Sequence, residues 1–302
     1  MTWRNILITN PAKLRCENKA LIIEQDCNYK IPLEDIGSII IDCPKVILTV
    51  PLLSMCAEYG IAIYISNSRH IPNGIFLSFG SHNKILNLLK LQLNLAKPVI
   101  KNLWTQIVKA KIKNQASCLK ACGLIDEYNY LYKIASKVRS GDPDNIEARS
   151  AAFYFKNLFS KKFSRKDDES MINSSLNYGY AIFRGEISRK LIAHGLQTEL
   201  GLFHKNQGNK FNLADDLIEP YRPLVDLFTN TNKELVNKKL PKQQLIKLLY
   251  CEVETPRGKM SVSLSIEVLI ESFVRVLKGE AKILELPKLK SLEPHLYEDN
   301  LQ

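Results

Sequence analysis

The hydrophobic pattern of the chain changes its period near residue 80, and this change constrains the fold more than any other feature. Before it, seven short runs rich in β-branched residues are separated by turn residues, as expected for strands of a half-buried sheet. These runs are residues 6–9, 20–24, 29–33, 38–41, 46–49, 61–65 and 74–77. One helix is predicted among them at residues 51–59, with proline at its start and Gly60 after its end. The first part of the chain therefore predicts a small β-domain.

After residue 80 the apolar residues recur every three or four positions, which is the period of an amphipathic helix. The first such stretch covers residues 85–112, and further helices are predicted at 124–139, 145–160, 171–195, 213–229, 242–250 and 262–278. The polar tail after Pro287 is expected to be loosely ordered. The expected fold class is α+β, with an N-terminal β-domain of residues 1–80 and a larger all-α C-terminal domain of residues 81–302.

Basic residues are concentrated in the middle of the chain. Residues 84–140 contain 11 basic and 2 acidic side chains, against 7 and 7 in residues 1–83 and 24 and 22 in residues 141–302. This band accounts for most of the formal net charge of +11. It favours a polyanion such as nucleic acid, although a solvated lysine face would give the same pattern. Lys109, Lys111 and Lys113 lie in the centre of the band and are candidate phosphate contacts.

Cysteine usage and hydropathy indicate where the chain is expected to act. Seven cysteines form no C-x-x-C pair, and an odd number of cysteines is typical of thiols in a reducing compartment. No apolar run approaches the roughly 18 residues that a membrane span needs, and the first residues lack the pattern of a signal peptide. We therefore expect a cytoplasmic protein with no membrane partner.

Glu147 is the first candidate for chemistry, because it lies in the first turn of the helix predicted to begin near residue 145. An acid in that place commonly only compensates the helix macrodipole. However, Glu147 shares a helix face with Ala151 and Tyr154, so its carboxylate can point along the edge of the packed side. Small alanines at that edge would leave room for a ligand.

A second group of candidates lies between residues 201 and 223. Asp216 and Glu219 are three positions apart on the predicted helix, and acids this close repel each other unless a cation is present. Capping by Asn212 and pairing of Glu219 with Arg222 would explain the same residues without any ligand. His204, viewed alone, is more often a hydrogen-bonded core histidine than a metal ligand.

Glu147, His204, Asp216 and Glu219 together could surround one divalent ion. Oxygen-rich ligands favour Mg²⁺ or Mn²⁺ over Zn²⁺, and one imidazole favours Mn²⁺ between the two. The chain contains no H-E-x-x-H, G-x-S-x-G, P-loop or dinucleotide-binding motif, which excludes the common enzyme classes that these motifs mark. Spacing alone does not establish that the four side chains meet.

Several strings of the sequence resemble the spacer-acquisition integrase of CRISPR systems, the larger of the two core adaptation Cas subunits. They are IPLEDIGSIII, LLSMCAEYGIAIYIS, HIPNG, NIEARSAAFYF, NSSLNYGYAIFRGEI and GLQTELGLFHKNQGNKFNLADDLIEPYRPLVD, and the resemblance covers roughly residues 3 to 285. The LADDLIEPYRPLVD string is most similar to the type II branch. The metal-binding residues of the family match Glu147, His204 and Glu219, and Asp216 matches a neighbouring acid. Many members carry arginine where this chain has Lys210, which keeps the charge but lacks the bidentate fork.

The resemblance implies a metal-dependent DNA integrase and endonuclease. A prespacer 3′-hydroxyl would attack a phosphodiester of the CRISPR repeat by transesterification, with Mg²⁺ or Mn²⁺ held by Glu147, His204 and Glu219. The DNA-binding residues would be Lys109, Lys111, Lys113, Lys210 and Arg222. The implied assembly is a homodimer built through residues 1–80, with two dimers bridged on double-stranded DNA by a small ferredoxin-like Cas subunit in a heterohexamer. Two alternatives stay open: a non-catalytic basic DNA-binding scaffold, and a metal-dependent hydrolase of a small phosphorylated substrate.

Overall fold

The computed structural model describes residues 4–67, 72–78, 85–167 and 169–294. Its order of elements confirms the predicted α+β class, since a region of short strands is followed by a mostly helical region. The predicted domain boundary near residue 80 lies outside the described residues and stays a prediction. Within the described ranges, no helix is both long enough and apolar enough to cross a membrane.

All seven predicted N-terminal strands are present, together with one that was not predicted. The elements are β1 (Arg4–Ile8), β2 (Ala12–Glu17), β3 (Ala20–Glu24), β4 (Asn28–Pro32), β5 (Ile36–Ile41), β6 (Val46–Leu48), α1 (Val50–Glu58), β7 (Ala62–Ser66) and β8 (Pro72–Phe76). The unpredicted strand is β2, although its apolar and charged residues alternate as in a half-buried strand. Two of the charged residues, Lys13 and Arg15, form ion pairs with Glu24 on the neighbouring strand.

The N-terminal strands form two four-stranded sheets around one core. One sheet has the order β1-β5-β7-β8, in which the first three strands are parallel and β8 is antiparallel to β7. The other has the order β4-β3-β2-β6, with β6 parallel to β2. Every residue of β5 is buried, as expected for a central strand of a parallel sheet. The core between the elements includes Leu14, Leu21, Ile39 and Leu52.

The C-terminal region is built on ten helices within the described residues. They are α2 (Ile85–Leu93), α3 (Lys97–Ala121), α4 (Ile125–Ser136), α5 (Ile146–Leu158), α6 (Met171–Ala193), α7 (Asn212–Leu217), α8 (Arg222–Thr231), α9 (Lys233–Lys238), α10 (Lys242–Lys247) and α11 (Val262–Leu277). Helix α3 is central, because α4, α5, α7 and α8 all pack against it. Its position decides which side chains of the lysine-rich band reach solvent.

The helical region also contains a small antiparallel sheet, so the prediction of an all-α C-terminal domain is wrong in this part. Its strands are β9 (Cys251–Thr255), β10 (Gly258–Ser261) and β11 (Lys288–Pro294), in the order β10-β9-β11. Part of the tail that was expected to be loosely ordered is therefore an edge strand. Helix α11 separates β10 from β11, so the pairing of β11 with β9 depends on tertiary structure rather than on local pattern.

The prediction of a single helix at residues 213–229 is wrong, because the structure has two helices there, α7 and α8. The turn between them contains Glu219 and Pro220. Pro220 has no backbone N–H to continue the helical ladder, and Pro223 occupies the first turn of α8, where proline is tolerated. Asp216 and Glu219 therefore do not share one face of a continuous helix.

The two regions of the molecule share part of their core. Ile40, Ala62 and Tyr64 of the first sheet belong to the same buried cluster as the helices. Tyr64 lies over Gly185 of α6 so closely that a Cβ there would be 1.9 Å from the ring carbon Cε1. A side chain at Gly185 would therefore separate the sheet from α6.

Candidate metal centre

The start of helix α5 is held against α3, and this fixes the position of Glu147. The Asp142 carboxylate accepts hydrogen bonds from the backbone N–H groups of Ile146 and Glu147, both at 2.9 Å. The Gly141 N–H in the same loop donates to Thr105 Oγ1 on α3 at 2.8 Å. Asp142 therefore caps the helix, and Thr105 ties the loop to α3. The Glu147 carboxylate is left half-buried beside α3.

Lys111 on α3 joins two of the predicted metal ligands. Its ammonium group donates a hydrogen bond to Glu147 Oε1 and lies 2.5 Å from Glu219 Oε2. The second contact is an ion pair between the ammonium group and the carboxylate. Because both oxygens surround the same nitrogen, they are at most about 5 Å apart. Two carboxylates from separate parts of the chain thus converge on one cation.

Positive charges on both sides keep the buried Glu219 carboxylate ionised. Burial alone would raise its pKa, but Arg222 and Lys111 hold the pKa of Glu219 below its ordinary value. Arg222 Nε lies 2.9 Å from Glu219 Oε1, and its guanidinium group stacks over the Tyr180 ring at 4.6 Å. Burial would likewise lower the pKa of Lys111, yet Glu219 and Glu147 raise it above the usual value.

His204 is held by a carboxylate that is itself fixed by the backbone. Asp216 is fully buried and accepts N–H hydrogen bonds from Leu202 at 2.5 Å, Phe203 at 3.0 Å and His204 at 3.1 Å. Its Oδ1 also lies 2.7 Å from His204 Nδ1. This hydrogen bond is the main reason why the pKa of His204 is raised. With Nδ1 donating to Asp216, the ring leaves Nε2 available as a ligand atom.

The loop that carries His204 is packed tightly onto α3. The Phe203 ring stacks on Trp104 of α3 with a centroid distance of 4.3 Å and an interplanar angle of 1°. The His204 ring meets Trp104 edge-on at 6.2 Å. Gly201 has no room for a side chain, since a Cβ there would lie 2.3 Å from the His204 carbonyl oxygen and 2.9 Å from Asp216 Oδ2. The backbone of this loop is therefore strongly constrained.

The structure brings the predicted ligands together only in part. Glu147 and Glu219 meet at Lys111, and the charge of Glu219 also contributes to the raised pKa of His204. Among the residues that the structure describes, however, three potential metal ligands with ligand atoms within 4.8 Å of one another are found elsewhere. They are His194, Glu267 and Glu271. Those acids are already paired, Glu267 with Lys190 at 2.9 Å and Glu271 with Arg257 at 2.7 Å.

The five predicted DNA-binding residues fall into two groups. Lys113 and Lys210 are exposed and Lys109 is half-buried, so all three can reach a ligand from solvent. Lys111 and Arg222 are instead engaged with carboxylates inside the site. DNA contact by any of them stays a prediction.

The special position of Lys111 was not predicted, although the helical period of α3 contains the signal. Lys111 shares a stripe with Trp104, Ile107, Val108 and Ile112, which are all buried, whereas residues 109 and 113 lie on other faces of α3. A lysine within an apolar stripe needs a buried partner. The capping residue Asp142 was also missed, because the loop before α5 places it four residues before the first helical position.

Comparison with known proteins supports one family for this chain. The model of the family described as CRISPR associated protein Cas1 matches residues 6–245. The CRISPR-associated endonuclease Cas1 of Neisseria meningitidis serogroup C (strain 8013) is 40% identical over 99% of this chain and 100% of its own length.

Two solved structures share the fold at low sequence identity. A casposase bound to an integration product gives a TM-score of 0.75 at 18% identity, covering 98% of this chain and 97% of that one. A chain of a Cas6-RT-Cas1–Cas2 complex gives a TM-score of 0.71 at 17% identity, and the match covers 96% of this chain and 36% of that one. The family model matches most of the chain, and the Neisseria meningitidis relative matches it over nearly its full length, so the chain belongs to the CRISPR-associated Cas1 family.

Proposed function

We propose that the protein joins the 3′-hydroxyl ends of a prespacer duplex to a CRISPR repeat by direct transesterification, using one divalent metal ion. The observation that carries this proposal is the convergence of Glu147 and Glu219 on a single cation position. These residues come from α5 and from the turn before α8, so the fold rather than local spacing brings them together. In a member of the Cas1 family, such a position is the expected centre of phosphodiester chemistry.

The residues present fit Mg²⁺ or Mn²⁺. Glu219 Oε2 is buried and lies 2.5 Å from the Lys111 ammonium group, and Glu147 Oε1 contacts the same nitrogen, so both oxygens face one cation position. Two carboxylates and one imidazole form a donor set that suits these ions better than Zn²⁺. When bound, the ion would supply charge stabilisation to the phosphate and orient the attacking oxygen. Glu147, Glu219 and the Nε2 atom of His204 would hold it.

The chain's own side chains have separate roles in this reaction. Asp216 orients the imidazole and keeps the Nδ1 proton in place, because its second oxygen is fixed by backbone N–H groups. Arg222 holds one oxygen of Glu219 and leaves the other directed at the cation. Neither role requires a covalent bond between protein and DNA, which agrees with the absence of a nucleophile motif in the sequence.

DNA is proposed to approach the exposed side of α3. Lys109 and Lys113 lie one helical turn apart on this helix, and Lys210 is exposed in the segment between His204 and α7. Their charges would neutralise phosphates on either side of the reacting one. We propose contact with double-stranded DNA at both the prespacer and the repeat.

The active assembly is proposed to be a homodimer formed through residues 1–80, with two dimers bridged by a small ferredoxin-like Cas subunit in a heterohexamer. Among the described strands, the first sheet ends in β1 and β8 and the second in β4 and β6, and the edges of a sheet need to be covered. The similarity to a chain of a Cas1–Cas2 complex supports a second Cas subunit as partner. Pairing two copies would provide two metal centres for the two ends of one duplex.

The test is an integration assay with the purified protein and its small Cas partner. The substrates are a short duplex with free 3′ ends and a supercoiled plasmid that carries the repeat, with and without Mn²⁺. We expect joined products only when metal is present. A duplex whose strands end in 2′,3′-dideoxynucleotides lacks the attacking 3′-hydroxyl and should give none. Glu147→Gln should abolish joining.

Glu127→Gln is the matched control, because Glu127 is likewise an acid in the first turn of a helix, α4. It should join at the wild-type rate. A Glu147→Gln protein that integrates normally would contradict the proposal and favour a non-catalytic scaffold. Hydrolysis of small phosphate esters without any joining of DNA would favour a small-substrate hydrolase.

A further inference from the structure

Lys111 occupies an unusual place among the lysines of α3. Lys111 is only 9% exposed, whereas Lys101, Lys113 and Lys120 on the same helix are exposed. Placing an ammonium group in a protein interior is costly unless carboxylates compensate for the lost hydration. Glu147 and Glu219 provide that compensation. These are the same two carboxylates that the proposed function assigns to the metal.

The geometry leaves a single cation position between these carboxylates. Arg222 occupies the other side of Glu219, at Oε1, and it is fixed by stacking on Tyr180. The second oxygen of Glu219, Oε2, and Oε1 of Glu147 both contact the Lys111 ammonium group. An ion that binds both oxygens needs the space where this nitrogen lies. Repulsion between two cations at such a short distance would also prevent joint occupancy.

We propose that Lys111 is an internal competitor for the metal: its ammonium group holds Glu147 and Glu219 together in the metal-free protein, and the divalent ion displaces it. This inference rests on the proposed function, because it takes Glu147 and Glu219 as metal ligands. The flexible four-carbon side chain of lysine allows the nitrogen to leave without movement of α3. Metal binding is therefore weaker than the carboxylates alone would allow, and the metal-free site does not leave two carboxylates facing each other unpaired.

The direct test measures Mn²⁺ affinity by titration calorimetry or by the EPR signal of free Mn²⁺, in the intact protein without DNA. Lys111→Met removes the competing charge while keeping an apolar side chain of similar length. We expect this variant to bind Mn²⁺ more tightly, on the order of tenfold, because the ion no longer has to displace an ammonium group. Lys120→Met on the same helix is the matched control and should bind as the wild type does.

The sign of the change separates two roles for Lys111. If Lys111 only positioned the carboxylates for a bound metal, its removal would weaken Mn²⁺ binding. An unchanged or weaker affinity of Lys111→Met for Mn²⁺ therefore overturns the proposal.

Thermal unfolding gives a second readout. Metal-free Lys111→Met should melt below the wild type, since the buried Glu219 and the half-buried Glu147 lose the cation that they share. Mn²⁺ should raise the melting temperature of the variant by more than that of the wild type.

A labelling experiment on the wild-type protein keeps the inference testable if Lys111→Met does not fold. Lysine amines are acetylated with a small reagent and quantified by mass spectrometry as Mn²⁺ is added. We expect labelling of Lys111 to rise with the same half-saturation as Mn²⁺ binding, while labelling of Lys120 stays constant. Labelling of Lys111 that is constant or falls as Mn²⁺ binds contradicts displacement.

Glu147→Gln separates failure of this inference from failure of the proposed function. If wild-type Mn²⁺ binding is lost in Glu147→Gln but is not strengthened in Lys111→Met, the metal centre stands and the competitor role is wrong. If Glu147→Gln binds Mn²⁺ as tightly as the wild type, the metal centre itself is wrong and the competitor role falls with it.

Discussion

The two halves of the candidate metal centre are built in opposite ways. In the imidazole half, His204 is oriented by Asp216, and three backbone N–H groups fix that carboxylate. In the carboxylate half, Glu147 and Glu219 are held together by a side-chain cation from a third element. The first half is preorganised by the backbone, whereas the second depends on which cation is present. We infer that metal binding reorganises the carboxylate half and leaves the imidazole half in place.

Breaking the carboxylate half should have the largest effect on activity. Glu147→Gln keeps the size of the side chain but removes the charge, and we expect strand transfer to fall on the order of 10³-fold or more. Product formation on gels in Mn²⁺ measures the effect. Glu147 is a better choice than Glu219, because removing the charge of Glu219 would also take away the carboxylate that Arg222 contacts. Strand transfer within about threefold of the wild type would show that Glu147 is not a ligand.

Breaking the imidazole half at Asp216 should have a smaller effect. Asp216→Asn preserves shape but loses the charged acceptor of His204, and we expect activity to fall about 10–100-fold, as is typical for a partner of a metal-binding histidine. The pKa of His204 should fall, because the hydrogen bond to Asp216 raises it in the wild type. Since only neutral imidazole binds metal, the rising limb of the pH–rate profile should move to lower pH in the variant.

The same variant makes a prediction about stability. A histidine with a raised pKa in the folded state stabilises the protein below its unfolded-state pKa of about 6.5, and this contribution is lost as the pH rises through the folded-state value. The difference in melting temperature between wild type and Asp216→Asn should therefore be larger at pH 5.5 than at pH 8. A difference that grows with pH would contradict the His204–Asp216 ion pair.

Gly201 tests whether the backbone fixes the imidazole half. Gly201→Ala would place a Cβ 2.3 Å from the His204 carbonyl oxygen, so the loop must move. We expect the free energy of unfolding, measured by urea denaturation, to fall by about 1–3 kcal/mol. Gly208→Ala is a matched control in the following loop, because the nearest atom to its Cβ would be Asn206 Oδ1 at 3.6 Å. Equal stability of Gly201→Ala and wild type would show that the loop adapts freely.

Lys109 and Lys113 of α3 should give the smallest effect. Replacing Lys109 and Lys113 with glutamine should lower the slope of log affinity against log salt for duplex DNA by about 0.9 for each phosphate that is no longer neutralised. Fluorescence anisotropy over a range of salt concentrations measures this slope. Lys259→Gln is the control, since Lys259 is exposed on β10 and pairs with Glu252. An unchanged slope in the double variant would indicate that these lysines form a solvated face.

Local pattern predicted most of the fold, but not how the candidate ligands are brought together. Helices α4, α5, α6 and α11 begin and end within three residues of their predicted limits, because each has a clear helical period. The turn at Pro220 was missed because apolar residues continue at helical spacing through it. Strand β11 was missed because its pairing partner, β9, lies more than 30 residues earlier.

The role of Lys111 shows most clearly what a sequence cannot reveal by itself. Its place on the apolar stripe of α3 predicts burial, yet nothing in the local sequence names its partners. Those partners are 36 and 108 residues away, and only the packing of α5 and of the turn before α8 against α3 brings them together. The Cas1 resemblance indicated the ligands, whereas the cation between them follows from the structure alone.

The most direct test of the metal centre is a crystal structure of the protein with Mn²⁺, with anomalous scattering recorded near the manganese edge. We predict an anomalous peak bound by Glu147, Glu219 and His204 Nε2, with the Lys111 ammonium group moved away from both carboxylates. A strong peak only at His194, Glu267 and Glu271, or Lys111 still bridging the two glutamates in crystals saturated with Mn²⁺, would contradict the account.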